Sequence, residues 1–186
     1  MRSEPGERER GARSPTDRAL RDGGARREPG ADAPDVARVV ADADVLAADL
    51  LVGGAARDAL DVVRAHSWVT LVASDPLLDD AAAVVAALAD DDLAADWRET
   101  AAALATLVEH PPGDHPALAC AMAGDAAHVL TLDESLRTAQ ANAALKKYVT
   151  TSLSPPDGFA RLFDPERLYP EVVGGAYPGP DRDPRA

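Results

Sequence analysis

Four aspartates occupy positions in the sequence where their side chains could perform chemistry: Asp42, Asp80, Asp114 and Asp133. Asp42 and Asp133 each follow a run of apolar residues that reads as a buried strand, and Asp114 opens a helical stretch. In an open α/β sheet, the carboxyl ends of the strands and the adjoining helix starts line one crevice. Carboxylates gathered there repel one another unless a cation lies between them. The pattern therefore indicates a hard divalent metal, Mg²⁺ or Mn²⁺, and hydrolysis of a phosphate ester.

Apolar runs and helical periodicities alternate along the part of the chain that must position these aspartates. Strands are predicted at residues 35–42, 68–73, 128–132 and 148–153. Helices are predicted at residues 45–66 with a break at Gly53 and Gly54, 76–88, 93–109, 114–123 and 135–145. Alternating strands and helices favour a mainly parallel sheet with helices on both faces, which is a three-layer α/β/α sandwich.

The composition is acidic and poor in lysine. The chain has 186 residues, 32 acids against 19 bases and a net charge of −13, and its only lysines are Lys146 and Lys147. Such a balance is typical of proteins from extreme halophiles. Strong negative charge argues against nucleic-acid binding, but in molar salt the Debye length falls to about 3 Å. The charge therefore weakens a nucleic-acid function without excluding it.

The two ends of the chain differ from its centre. Residues 1–34 are rich in Gly, Pro, Arg and acids and predict a disordered tail. Residues 164–186 predict an extension that docks as far as Val173 and is disordered from Gly174. The single cysteine, Cys120, lies in an apolar helical pattern and predicts a buried, inert thiol. No apolar run approaches the about 18 residues of a membrane span, so we expect a cytoplasmic protein without membrane partners.

The flanks of the four aspartates form an ordered set of motifs. The segments are, in chain order, residues 42–46 (DADVL), 74–80 (SDPLLDD), 114–121 (DHPALACA) and 131–136 (TLDESL). Residues 149–156 followed by Phe159 add a last strand, a Ser-Pro turn and a closing helix. Together these segments resemble the PIN (PilT N-terminus) domain family of metal-dependent ribonucleases, across about residues 35–163.

The resemblance implies a PIN-like fold and an RNA-cleaving site. Asp42 would bind the metal directly, and the site for one or two Mg²⁺ or Mn²⁺ ions would be completed by Asp80, Asp114 and Asp133. The metal would activate a water molecule for attack on an RNA phosphodiester. Thr131 and Ser74 would be supporting hydroxyls. The partners would be RNA and an antitoxin or a second copy of the chain.

The sequence leaves two alternative functions open. Ala43 stands where the family usually has Thr, and Asp80 stands where it usually has Glu, which leaves a catalytically degenerate PIN-like binding module as an alternative. A haloacid-dehalogenase-type phosphatase would use Asp42 and Asp44, with Lys146 or Lys147 as its amine. In so acidic a chain, a single aspartate is more often solvated surface than ligand. We also predict surface positions for His110 and His115.

Overall fold

The computed structural model describes residues 33–109, 115–138 and 151–185, and these contain five strands and eight helices. The strands are β1 (Asp35–Ala41), β2 (Thr70–Ala73), β3 (Thr106–Leu107), β4 (Ala126–Leu130) and β5 (Ser152–Ser154). The helices are α1 (Ala43–Leu51), α2 (Gly54–Arg64), α3 (Asp75–Leu88), α4 (Asp91–Leu104), α5 (Pro116–Ala123), α6 (Glu134–Arg137), α7 (Pro156–Leu162) and α8 (Pro165–Val172).

All strand pairs are parallel, and the order across the sheet is β3-β2-β1-β4-β5. The central strands read as continuous apolar runs because both of their faces are covered by helices. Val39, Val40, Val129 and Leu130 are fully buried for this reason. The architecture confirms the predicted three-layer α/β/α sandwich. The strand order also reverses between β1 and β4, which makes the crevice at their carboxyl ends the switch point of the sheet.

Local signals in the sequence account for several helix boundaries. The break at Gly53 and Gly54 separates α1 from α2, and both glycines have positive φ angles of 77° and 58°. Backbone in that region is open to glycine and costly for other residues. Ser74 caps α3, with Pro76 in the first turn, and Asp90 caps α4. The apolar faces of α1, α3 and α4 pack together, and α2 packs against α7.

Strand β3 was absent from our sequence prediction, which continued a helix to Glu109. The helix α4 ends at Leu104, and β3 follows at the edge of the sheet. Both residues of this strand are exposed, so the segment has no buried periodicity that would distinguish it from a helix end.

Some of our predictions lie outside the described residues. They are those for residues 1–32, for His110, Lys146 and Lys147, and for most of the helix at 135–145. No helix in the described ranges is long and apolar enough to cross a membrane.

The C-terminal segment of residues 174–185, which we expected to be disordered, packs on the end of α2. The Tyr177 hydroxyl lies 2.6 Å from Nε2 of His66, and the amide nitrogens of Asp181 and Arg182 donate to the carbonyl of Ala65. Asp181 also accepts a 2.7 Å hydrogen bond from the amide of Ser67. Composition alone is a poor guide here because a few polar contacts and one aromatic ring are sufficient to fix a Gly- and Pro-rich segment.

We predict that Tyr177→Phe destabilises the protein by about 1–2 kcal/mol. Nδ1 of the buried His66 is 2.7 Å from the Val62 carbonyl and must donate, so in the neutral tautomer Nε2 accepts from the Tyr177 hydroxyl and loses this partner in the variant. The free energy of unfolding in urea measures this loss. Tyr169→Phe is the matched control, because Tyr169 belongs to the same aromatic cluster and its hydroxyl has no hydrogen-bond partner among the described residues. Equal stability of the two variants would contradict the prediction.

Candidate active site

The register between β1 and β4 sets the position of the site. Ala41 pairs with Leu130, so the next residues of the two strands, Asp42 and Thr131, leave the sheet side by side. The amide nitrogen of Asp42 donates a 2.8 Å hydrogen bond to the carbonyl of Leu130. Two segments that are far apart in the sequence therefore meet at the carboxyl edge of the sheet.

Asp42 is a buried carboxylate with two partners. It caps α1 through Oδ1, which accepts from the amide of Ala43 at 2.8 Å. Its Oδ2 accepts a 2.9 Å hydrogen bond from the hydroxyl of Thr131, which is fully buried. The same hydroxyl oxygen accepts from the amide of Asp133 at 3.1 Å. Thr131 thus links the first aspartate of the site to the loop that carries the last one.

Asp44 reaches the same crevice from the first turn of α1. Its Oδ2 accepts a 3.0 Å hydrogen bond from the amide of Leu132, whereas its Oδ1 is shielded from solvent and has no hydrogen-bond partner among the described residues. Burial raises the pKa of the Asp44 carboxyl, and the charges of Asp42 and Asp133 raise this pKa further. Hydrogen bonds from the backbone at Leu132 and Val45 oppose the shift. Asp44 is therefore held in a place that is unfavourable for its negative charge.

Asp133 and His115 form the exposed side of the crevice. Asp133 caps α6, and its Oδ1 accepts from the amide of Ser135 at 2.7 Å. Hydrogen bonds from Ser135 are the main cause of the lowered pKa of Asp133, and the charge of His115 lowers it further. Nε2 of His115 lies 4.0 Å from Oδ2 of Asp42. The imidazole therefore lies beside Asp42, and its charge acts on Asp133 as well.

Ser74 and Cys120 lie in the buried layer behind the crevice. Both side chains are almost completely buried, and the Ser74 hydroxyl accepts from the amide of Leu77 at the start of α3. Burial raises the pKa of the Cys120 thiol, a hydrogen bond with Ser74 opposes this rise, and the charge of Asp42 adds to it. The prediction that the Cys120 thiol is buried is confirmed.

The structure brings together two of the four aspartates that the sequence analysis selected, Asp42 and Asp133. Asp80 is exposed on α3 and makes no hydrogen bond or ion pair with another described residue. Its neighbour Asp79 is bonded to Arg98 at 2.8 Å instead. Asp114 lies outside the described residues. The site as described consists of Asp42, Asp44, Thr131, Asp133 and His115.

Two members of this site carried little weight in the sequence analysis. Asp44 is one residue removed from Asp42 and could have been only a helix cap, whereas its carboxylate bonds the backbone of the opposite loop. His115 is exposed, as we predicted, and its Nε2 lies 4.0 Å from Oδ2 of Asp42. Its position next to Asp114 in the third motif was the available signal, because that motif was already expected to adjoin the crevice.

The donors of the crevice are chemically suited to a cation, although they are not drawn together around one. Among the described residues, no group of three His, Cys, Asp or Glu side chains is arranged to hold a metal ion. The available donors are carboxylate oxygens and one imidazole nitrogen, and oxygen donors suit Mg²⁺ and Mn²⁺. Oδ1 of Asp44 is a shielded acceptor that has no hydrogen-bond partner among the described residues.

Comparison with known proteins gives one match. A model described as "Family of unknown function (DUF7384)" matches residues 33–185, a range that includes both the crevice and the C-terminal segment. No curated protein and no solved structure matches the chain.

We predict that Thr131→Val destabilises the protein by about 1.5–3 kcal/mol, because hydrogen bonds to charged groups contribute that much. Valine has the shape of threonine, but it leaves Oδ2 of Asp42 and the amide of Asp133 without their shared partner. Thr131→Ser keeps the hydroxyl and should lose only the methyl group, about 1 kcal/mol. Unfolding in urea compares the three proteins, and a valine variant at least as stable as the serine variant would refute the proposed link.

Asp44→Asn should stabilise the metal-free protein near neutral pH. The pKa of Asp44 is raised in the native state, so the native state holds the proton more tightly and its stability falls as pH rises from the ordinary Asp pKa through the native one. Asparagine does not ionise, and its amide oxygen can still accept from Leu132. Unfolding curves measured at several pH values should show a gain that shrinks as the pH is lowered. A gain that is independent of pH, or a loss, would contradict the assignment.

Proposed function

This chain belongs to the DUF7384 family of unknown function, and we propose that it is a metal-dependent phosphodiesterase that cleaves RNA at the crevice of Asp42, Asp44 and Asp133. The observation that carries the proposal is the shielded Oδ1 of Asp44, which has no partner among the described residues and belongs to a carboxyl group on which the charges of Asp42 and Asp133 act, at the switch point of the sheet. A divalent cation would satisfy this oxygen and offset the repulsion among the three acids.

The hydrogen bonds already present leave room for such a cation. A carboxylate offers about four acceptor sites, so Asp42 can bind a metal while it accepts hydrogen bonds from Ala43 and Thr131. Asp133 caps α6 through Oδ1, and its exposed carboxylate offers further acceptor sites. Asp114, at the start of the third motif, would complete the set. These hard oxygen donors suit Mg²⁺ or Mn²⁺.

The residues of the chain have separate tasks in the proposed reaction. Bound metal would activate a water molecule and stabilise the charge that develops on the phosphate. Thr131 holds the Asp42 carboxylate in one orientation, and the bond from Leu132 holds Asp44. Asp133 is exposed, and its lowered pKa keeps it ionised toward the entrance of the crevice. Fixed carboxylates of this kind do not have to reorganise when substrate binds.

RNA as the substrate rests on the order of the four motifs, which is that of the PIN-type ribonucleases. The surface charge is a constraint on this proposal. Several arginines of the described residues are engaged by acids, such as Arg64 with Asp49 and Arg98 with Asp75 and Asp79. Phosphate recognition would therefore depend mainly on the metal, and cleavage should be assayed in molar salt, where repulsion is screened.

The decisive experiment combines metal binding and cleavage in the full-length protein. Mn²⁺ at about 100 times its Kd should stabilise the unmutated protein by about 2.7 kcal/mol. Asp42→Asn should abolish this response and the Mn²⁺-dependent cleavage of single-stranded RNA. Asp58→Asn removes the same charge from an exposed position of α2 and is the matched control. Because Asp80 makes no contact with the crevice, we expect Asp80→Asn to behave like this control.

The other outcomes identify the alternatives. Failure of both Mn²⁺ and Mg²⁺ to stabilise the unmutated protein would exclude the metal-dependent function. Stabilisation without cleavage would indicate the degenerate binding module. Release of phosphate from a small phosphoester without RNA cleavage would indicate a phosphatase that uses Asp42 and Asp44.

A further inference from the structure

We propose that the cavity between strands β4 and β5 and helices α7 and α8 binds a small aromatic carboxylic acid, with Arg167 as the partner of the carboxylate. The cavity has a volume of about 490 Å³, within the range of about 300–1,000 Å³ that is usual for small-molecule sites. None of the described residues that line it belongs to the crevice of Asp42, Asp44 and Asp133. Binding there would be independent of a metal and of the proposed function.

The sheet supplies one wall of the cavity through side chains that share a face. His128 of β4 pairs with Ser152 of β5, and Ser154 lies two residues further along β5, so the three side chains stand on the same face of the sheet. The hydroxyl groups of Ser152 and Ser154 make no hydrogen bond with another described residue. Within the described part of the chain, both hydroxyls are therefore available to a ligand.

Aromatic rings form the apolar wall of the cavity. The ring of His128 makes edge-to-face contacts with Phe159 and Phe163, at 5.4 and 5.8 Å between ring centroids, and the two phenylalanines stack at 4.7 Å. Burial lowers the pKa of His128, and a hydrogen bond with the backbone of Val36 opposes this shift. The ring is therefore neutral near pH 7. Neutral rings favour a flat, aromatic ligand body, because aromatic groups attract one another in edge-to-face and offset arrangements.

Arg167 is a positively charged residue that is free to bind a ligand at the rim. It lines the cavity from the first turn of α8, and its exposed guanidinium makes no hydrogen bond or ion pair with another described residue. Every other described arginine except Arg182 is ion-paired with an aspartate or a glutamate. A carboxylate ligand would give Arg167 the same kind of partner through two parallel hydrogen bonds.

The acids at the same rim restrict the charge of the ligand. Asp164 and Glu171 also line the cavity, three residues before Arg167 and four residues after it. Oδ1 of Asp164 accepts from the amide of Arg167 at 3.1 Å, and the second arginine of the rim, Arg161, is already bonded to Asp157 at 2.9 Å. One free guanidinium beside two carboxylates favours a monoanion over a phosphate dianion, because like charges repel. The charge of the site thus indicates a carboxylate.

Calorimetric titration of the full-length protein with naphthalene-2-carboxylate tests the site, and naphthalene-2-carboxamide is the uncharged counterpart. We expect the carboxylate to bind about tenfold more tightly than the amide, because hydrogen bonds between charged groups are the stronger ones. Arg167→Gln should weaken the carboxylate by about tenfold and leave the amide within about twofold. Arg182→Gln is the matched control, because Arg182 has the same charge, has no described ion-pair partner and does not line the cavity. It should bind both probes like the unmutated protein.

Nuclear magnetic resonance and a blocking variant locate the bound probe. Naphthalene-2-carboxylate should shift the signals of the His128 ring and of amides in β5 and α8. Ser152→Trp should abolish binding of both probes, because it places a large ring in the cavity from an exposed position of β5. Circular dichroism of each variant confirms that it is folded. Absence of carboxylate binding at millimolar concentration, unchanged carboxylate affinity in Arg167→Gln, or shifts confined to another surface would overturn the proposal.

Discussion

The parallel pairing of β1 with β4 is the constraint on which the rest of the site depends. Ala41 and Leu130 are in register, so Asp42 and Thr131 leave the sheet at the same level and their side chains meet. The chain leaves the sheet in opposite directions after these two strands. The connection that follows β1 leads to β2 on one side, and the connection that follows β4 leads to β5 on the other side. The position of the point where Asp42 and Thr131 meet is fixed by the backbone hydrogen bonds of the sheet.

The aspartates that are buried or half-buried in this fold differ in their partners. Asp49 is neutralised by two arginines, with Nε of Arg57 2.8 Å from its Oδ1 and Arg64 bonded to its Oδ2. Breaking such a pair is costly, so this aspartate is explained by structure alone. Asp42 and Asp44 have no arginine or lysine partner among the described residues, although burial raises the pKa of Asp44. Arginine partners therefore account for the burial of Asp49, and hydrogen bonds from Ala43 and Thr131 account for that of Asp42.

The sequence was informative where a residue's role follows from local chemistry or from continuous burial. It located the central strands, the break at Gly53 and Gly54 and the capped start of α3. It missed β3, whose two exposed residues carry no burial pattern, and the docking of the C-terminal segment, which depends on contacts between distant residues such as Tyr177 and His66. Both omissions have the same physical cause, because neither segment is defined by its own composition.

Prediction of the candidate site from the sequence has the same limit. Asp42 and Asp133 were identifiable because strand ends of a parallel sheet meet at one edge, whatever the details of the helices. Asp80 lies within a helix, where each residue turns the side chain by about 100°, so its direction depends on which face packs inward. Leu77, Leu78 and Ala81 take the inward face of α3, and Asp80 is left in solvent. His115 is the opposite case, because only the approach of α5 to the β1–β4 edge shows that its ring faces Asp42. In a chain with 32 acidic residues, position relative to the strand ends is therefore better evidence of function than charge.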